Sequence, residues 1–257
     1  MNQNLLGNIR IVLVEPAGAL NIGSVARIMK NMGLTNLVLV NPKCDRNSDE
    51  ARQMAVHAVD VLEKALIVDS LPAALVGCQR AIATTVRSRS VPIKLESATV
   101  VLPWLLTDQS NSALIFGAEE RGLSNDELKY AQKFVCIDSN PAYPSLNLAQ
   151  AVAICAYELY QASLRIDDNL KDSVIVQKEE LVDFSPGSID NAPIDVLEGY
   201  YQHLEAVLLD IGYLYPHTAP VKMEKFRRLY NRANLKQEEV AMLRGILRQI
   251  RWAIKNR

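Results

Sequence analysis

Residues Ile9 to Pro42 read IRIVLVEPAGALNIGSVARIMKNMGLTNLVLVNP. The opening IRIVLVEP is a nearly continuous β-branched run ended by Glu15-Pro16, the pattern of a strand buried on both faces. AGALNIGSVARIMKNMG follows. Asn21 or the Gly18 turn can start a helix there, with Val25, Ile28, Met29 and Met32 as its apolar stripe and Gly33 as its stop. LVLVNP, Leu37 to Pro42, is the next strand. A strand, a helix and a second strand at this spacing imply a parallel sheet with a right-handed crossover, hence an α/β fold.

Further along, Asp49 to Lys64 reads as helical, Leu66 to Asp69 as a short strand and Leu71 to Val76 as a short helix ended by Gly77-Cys78. RAIATTV, Arg80 to Val86, is strand-like, and the polar, basic loop RSRSVP leaves its carboxyl end. A helix is expected around Ala98 to Leu105, and SALIFG, Ser112 to Gly117, is another buried strand. In the following AEERGLSNDEL, Ser124 and Glu127 have the spacing of a capping box. A strand near Phe134 to Ile137 breaks into a loop at Asn140-Pro141. PSLNLAQAVAICAYELY, Pro144 to Tyr160, then reads as a helix capped by Ser145, with Asn147 in its first turn. Its stripe is Leu148, Val152, Cys155 and Leu159, with small Ala149, Ala153 and Ala156 between them.

After Ala162 the character changes. Residues 163–192 are polar, acidic and contain SPGS, which reads as a linker between a domain at 1–162 and a helical extension at 193–257. Three helices are expected in the extension: Pro193 to Ile211, Lys222 to Arg232 and Lys236 to Ile254. In the last, Val240, Leu243, Leu247, Ile250 and Ile254 fall at a spacing that makes a packing seam.

With 257 residues, 49% hydrophobic and 22% charged, the chain can bury a full core and is not a disordered protein. The net charge of -1 hides an asymmetry. Ile166 to Asp210 holds eleven acidic and two basic residues; Val221 to Arg257 holds eleven basic and three acidic. The basic segment can lie on an anionic partner, pair with the acidic one or face solvent. The four cysteines are scattered, with no CxxC pair and no histidine cluster, which argues against a zinc site or a disulfide framework. No signal pattern or membrane-length apolar run is visible, so a cytoplasmic protein is expected, with no membrane and no metal.

Three features stand at the ends of predicted strands. Gly18 to Arg27 superficially fits a phosphate loop, but Ser24 stands where that motif needs its lysine. No dinucleotide fingerprint is present either. Asn21, in the loop, and Arg27, reaching back toward it, can hold a phosphate or a ribose. In Phe116 to Ser124, two glycines five apart allow close approach to a flat ligand, and Glu119 or Glu120 can pair with Arg27. Around Ser145, the hydroxyl and the free N–H groups of a helix start can bind an anion or position a hydroxyl.

NIGSVAR, then FGAEERGLS, then a strand with SLNLAQAVAICAYE, resembles the three motifs of the SPOUT class of RNA 2′-O-methyltransferases, over Ile9 to Ala162. With RSRSVP, NPAYPSLNLA and the C-terminal LRGILRQI, the chain is similar to the TrmJ type. Members of that type methylate the 2′-hydroxyl of cytidine or uridine 32, at the edge of the tRNA anticodon loop. The resemblance implies a trefoil knot at the carboxyl end of the sheet, with S-adenosyl-L-methionine bound in it. Its contacts would be Thr84, Thr85, Val86, Gly117, Ile137, Pro144, Ser145 and Leu146. It also implies a homodimer through the last knot helix, with Arg27 of one subunit approaching the cofactor of the other. The catalytic set would be Arg27, Ser145, Asn147, Glu119 and Asn21, and Arg87 and Arg89 would reach RNA phosphates alongside Arg27. The resemblance favours Glu119 as the partner of Arg27. Ala118 is a departure, since the type often carries arginine there. A methyltransferase acting on ribosomal RNA and a noncatalytic RNA-binding module of the same fold are the alternatives.

Overall fold

The apolar runs become the strands of one sheet. The computed structural model describes residues 5–85, 94–173 and 191–256. They divide into two units, Met1–Ala74 with Arg80–Pro186, and Leu75–Gln79 with Gly187–Arg257.

In the first unit, β1 (Ile9–Val14), α1 (Ala19–Asn31) and β2 (Asn36–Val40) realise the strand, helix and strand of the opening stretch. Then come α2 (Asp49–Ala55), α3 (Val59–Lys64), β3 (Leu66–Val68), α4 (Leu71–Ala74) and β4 (Arg80–Thr84). They are followed by β5 (Leu95–Ser97), α5 (Ala98–Val101), β6 (Ser112–Phe116), α6 (Asn125–Leu128), β7 (Lys133–Cys136) and α7 (Leu148–Ser173). Among the described residues the sheet has seven strands in the order β3-β2-β1-β6-β4-β7-β5. Each pairing is parallel. Strand β6, at the centre, is buried at every position, which is why it reads as an unbroken apolar run rather than an alternating one.

Helix α1 buries Ile22, Val25, Ala26 and Met29, about 1.5–3 kcal/mol of burial for each large side chain. Gly23 lets α2 press against it: a Cβ there would lie 2.2 Å from the Ala51 carbonyl oxygen. Its role is packing.

Several expectations shift. A strand, β5, forms at Leu95–Ser97 where none is expected, and the helix expected around Ala98 to Leu105 is α-helical only over Ala98–Val101. The stretch from Asp49 to Lys64 is helical but broken at Val56, whose φ is +53°, a strained conformation for a β-branched residue. Helix α7 does not end at Tyr160 but runs to Ser173. Ala162 and Ser163 are both buried, so packing carries the helix into the segment whose polarity reads as linker.

The second unit holds α8 (Ile194–Asp210), α9 (Ala219–Ala233) and α10 (Gln237–Lys255). Its core gathers Tyr200, Tyr201, Leu204, Val207, Met223, Val240 and Leu247. Tyr200 and Tyr230 meet edge to face at 5.2 Å. Arg227 grips both oxygens of Glu198 at 2.6 and 2.7 Å and lies 4.5 Å over the Tyr201 ring. The expected seam on α10 closes over Val240 and Leu247 but leaves Ile250 and Ile254 exposed.

Candidate active site

The register sets Thr84 beside Val135 and Ala83 beside Ile115. Thr84, Thr85, Gly117 and Ile137 therefore stand at or just beyond the carboxyl ends of three neighbouring strands, where ligands of open α/β sheets bind. Thr84 Oγ1 donates to the Ile115 carbonyl at 3.1 Å, and the Thr85 N–H to Val135 at 3.0 Å. Val86, Arg87 and Arg89 lie outside the described residues.

Strand β1 adjoins β6, with Leu13 opposite Phe116, so the chain entering α1 and the loop leaving β6 emerge at the same edge. There the Glu119 carboxylate accepts from the Ala17 N–H at 3.1 Å, the Gly18 N–H at 3.2 Å and Asn21 Nδ2 at 3.0 Å. Gly18 offers α1 no side-chain cap. A carboxylate from a hundred residues away supplies it, where the helix dipole favours negative charge. Partial burial pushes the Glu119 carboxyl up; the hydrogen bonds from Asn21, Ala17 and Gly18 outweigh it and hold the group below its ordinary value.

The chain of bonds continues. Asn21 Oδ1 accepts from Asn147 Nδ2 at 3.0 Å. Asn147 Oδ1 accepts from the N–H groups of Ala149 at 2.9 Å and Gln150 at 3.4 Å, and Gln150 Oε1 returns the contact to the Asn147 N–H at 3.2 Å. Asn147, not Ser145, is thus the cap of α7. Ser145 lies two residues too early, exposed, with no hydrogen bond of its hydroxyl among the described residues. Pro144 is exposed and its carbonyl accepts from Ser139 Oγ at 3.0 Å; Leu146 and Ile137 are half-buried.

Arg27 corrects another expectation. It is exposed and has no hydrogen bond or ion pair among the described residues; Glu119 is saturated by the start of α1, and Glu120 is exposed. Gly117 is needed by its own loop: a Cβ would fall 2.2 Å from the Gly122 carbonyl carbon, where Ala118 and Gly122 bridge and Gly122 takes φ +68°.

Sequence reasoning missed Arg121. It bonds Glu127 at 2.8 Å through both terminal nitrogens and Glu15 at 2.7 Å. Those carboxylates raise its pKa above the usual arginine value. Burial pushes Glu127 up, but Arg121 and Ser124 bring it net down. The Ser124–Glu127 capping box is formed as expected. Its signal in the sequence was complete except for the third member, which only the fold brings near. Among the described residues no group of histidine, cysteine or acidic side chains could hold a metal ion, and no helix is long and apolar enough to cross a membrane.

Strand ends, an amide and carboxylate relay and, on α1, an exposed arginine with no hydrogen bond or ion pair among the described residues make up the candidate site. Residues 8–157 match the model of the SpoU rRNA Methylase family, and residues 195–257 match that of the tRNA methyltransferase TrmJ, C-terminal domain. The chain is 43% identical over 248 residues to the tRNA (cytidine/uridine-2′-O-)-methyltransferase TrmJ of Klebsiella pneumoniae subsp. pneumoniae, covering 96% of this chain and 97% of that protein. The crystal structure of TrmJ from Z. mobilis ZM4 superimposes with a TM-score of 0.77 at 30% identity, over 94% of this chain and 98% of that one. A structure solved for the 2-OH methylation of C/U34 on tRNA aligns with a TM-score of 0.51 at 25% identity, over 61% of this chain and 97% of its own. The chain belongs to the SpoU methylase family and, within it, to the TrmJ group. It is a methyltransferase.

Proposed function

We propose that the chain transfers the methyl group of S-adenosyl-L-methionine to the 2′-hydroxyl of cytidine or uridine 32 in the tRNA anticodon loop, in the cytoplasm and as a homodimer. The observation that carries this is the relay Glu119–Asn21–Asn147, which ties the loop after β6, the start of α1 and the start of α7 into one polar edge. The half-buried Ile137 and Leu146 and the strand-end backbone suit a flat adenine. S-adenosylmethionine supplies, when bound, a methyl group on a sulfonium that leaves neutral.

The protein's own part is alignment and charge. A ribose hydroxyl is a poor nucleophile and must be held in line while its proton departs. The Arg27 guanidinium offers only donors, so it holds the adjoining phosphate and stabilises the developing alkoxide. The free hydroxyl of Ser145 is available to orient the substrate. Glu119, its oxygens already occupied, is a positioning residue acting through Asn21 rather than the base. The exposed apolar side chains Ile154, Tyr157 and Leu164 along α7 support pairing of two copies through that helix, which would carry Arg27 toward a partner's cofactor. The trefoil knot belongs to the same reading, as do the cofactor contacts of Val86 and the phosphate contacts of Arg87 and Arg89.

Incubation of unfractionated tRNA with methyl-labelled S-adenosylmethionine, followed by nucleoside mapping, tests the proposal. Label on the ribose of nucleotide 32 is expected. Label at 34, on a base, or on ribosomal RNA in a parallel reaction would refute the assignment at that level.

A further inference from the structure

Among the described residues, the most exposed large aromatic is Tyr143, at 79%. Of the other outlying rings, Tyr157 and Trp252 also have no ring or cation partner among the described residues, while two lean on neighbours. Tyr213 packs beside Phe226 at 6.3 Å and beneath Lys222 at 5.1 Å, and Tyr215 stacks on His217 at 6.0 Å. The Tyr143 side chain has no ring, cation or hydrogen-bond partner among the described residues. A ring so placed gives up hydrophobic burial.

Its backbone, by contrast, is pinned. The Tyr143 N–H donates to the Asn140 carbonyl at 2.9 Å, and the Ala142 N–H to Asn140 Oδ1 at 3.0 Å. Ser139 Oγ closes the loop on the Pro144 carbonyl at 3.0 Å. Pro141 and Pro144 stiffen it on either side of the ring. Four residues on is Asn147, bonded to Asn21, so the Tyr143 Cα is within about 14 Å of the Asn147 Cα along the chain. The turn presents a bare aromatic face within a few nucleotides' reach of the relay, with little left to order on binding.

We propose that Tyr143 stacks on an unpaired nucleobase of the RNA whose ribose is methylated, and so sets how tightly the substrate loop is held. The inference rests on the functional reading above and names a contact that reading does not contain. Unpaired loops are recognised by proteins through aromatic stacking, since unstacked bases offer free faces. The chemistry is that of a π-face, tolerant of base identity; it contributes to affinity for a loop rather than to the choice of cytidine over uridine.

The test uses the full chain and a purified tRNA, with binding measured directly at fixed salt alongside steady-state methylation. Tyr143→Ala is expected to weaken tRNA binding and raise KM for tRNA by roughly 5- to 150-fold, the span of one lost stack, with S-adenosylmethionine affinity unchanged. Tyr143→Phe keeps the ring and is expected to bind like the wild type; Tyr143→Leu keeps bulk without a π-face and is expected to fall with Tyr143→Ala. Wild-type affinity for tRNA in Tyr143→Ala overturns the proposal. So does a Tyr143→Phe variant as weak as Tyr143→Ala, which would assign the hydroxyl. A changed mass of Tyr143→Ala in solution also overturns it, assigning the ring to a contact between copies. If the wild type methylates no tRNA, the functional reading fails, while the binding measurements still decide the role of Tyr143.

Discussion

Glu119, Asn21 and Asn147 satisfy one another and the starts of two helices. Along α10 the pattern is opposite: Met242, Ile246 and Trp252 are 61%, 51% and 61% exposed, and Arg244 and Arg248 are exposed beside them. The first region is completed by the chain itself; the second shows apolar and cationic surface that another molecule can cover. On the proposed reading, pre-organisation belongs where a reaction needs alignment, and open surface belongs where a large partner has to be met. Arg27 is the exception within the first region, an exposed cation beside a saturated network.

That exception gives the sharpest test. Arg27→Ala should lower kcat on tRNA by about 100- to 1,000-fold, the range for removing one group that stabilises a developing oxyanion. Its thermal midpoint should stay at the wild-type value, because no hydrogen bond or ion pair among the described residues is lost; a clear drop in the midpoint would break the contrast. Next in size, Leu247→Ala should cost about 2–4 kcal/mol on denaturant unfolding, since Leu247 is buried in the second unit.

Glu119→Gln should cost about 1 kcal/mol, one charged acceptor exchanged for an amide at a partly exposed site. The pH dependence has a definite sign. The folded pKa of Glu119 is lowered, so its stabilisation is fully present above the unfolded value of about 4.3 and is lost as pH falls through the folded one. The stability difference between wild type and Glu119→Gln should be flat at neutral pH and shrink only in acid. A difference growing toward acid would mean the relay holds a protonated carboxyl.

On the open side, Arg244→Gln with Arg248→Gln should weaken tRNA binding several-fold and flatten its salt dependence, by roughly 0.7–0.9 in log–log slope per lost phosphate contact. Cofactor binding should not change. The smallest effect is expected for Ile246→Ser, within about 0.5 kcal/mol of wild type. A larger loss would show that the exposed flank of α10 is already covered in solution.

Much of this was legible in advance because it is local. β-branched runs became strands, Gly33 ended α1 with φ +70°, and Ser124 with Glu127 formed their box. Asn21, Glu119 and Asn147 were singled out at strand-end loops and a helix start and by motif resemblance, but the bonds that connect them were not foreseen. Capping by Asn147 instead of Ser145 depends on where the backbone first turns helical. Polarity after Ala162 hid eleven further helical residues, because composition does not report which face is packed.

The sequence alone determined most of the elements and, through the strand, helix and strand of its opening stretch, a parallel sheet, since period, β-branching and turn residues act within a few positions of themselves. Only the tertiary structure decided that Glu119 caps α1 rather than pairing with Arg27, that Arg121 joins Glu15 to Glu127, and that Gly23 and Gly117 serve backbone packing. Those outcomes depend on which of several nearby donors comes within about 3 Å of an acceptor. Residues a hundred positions apart reach that separation only once the sheet has closed.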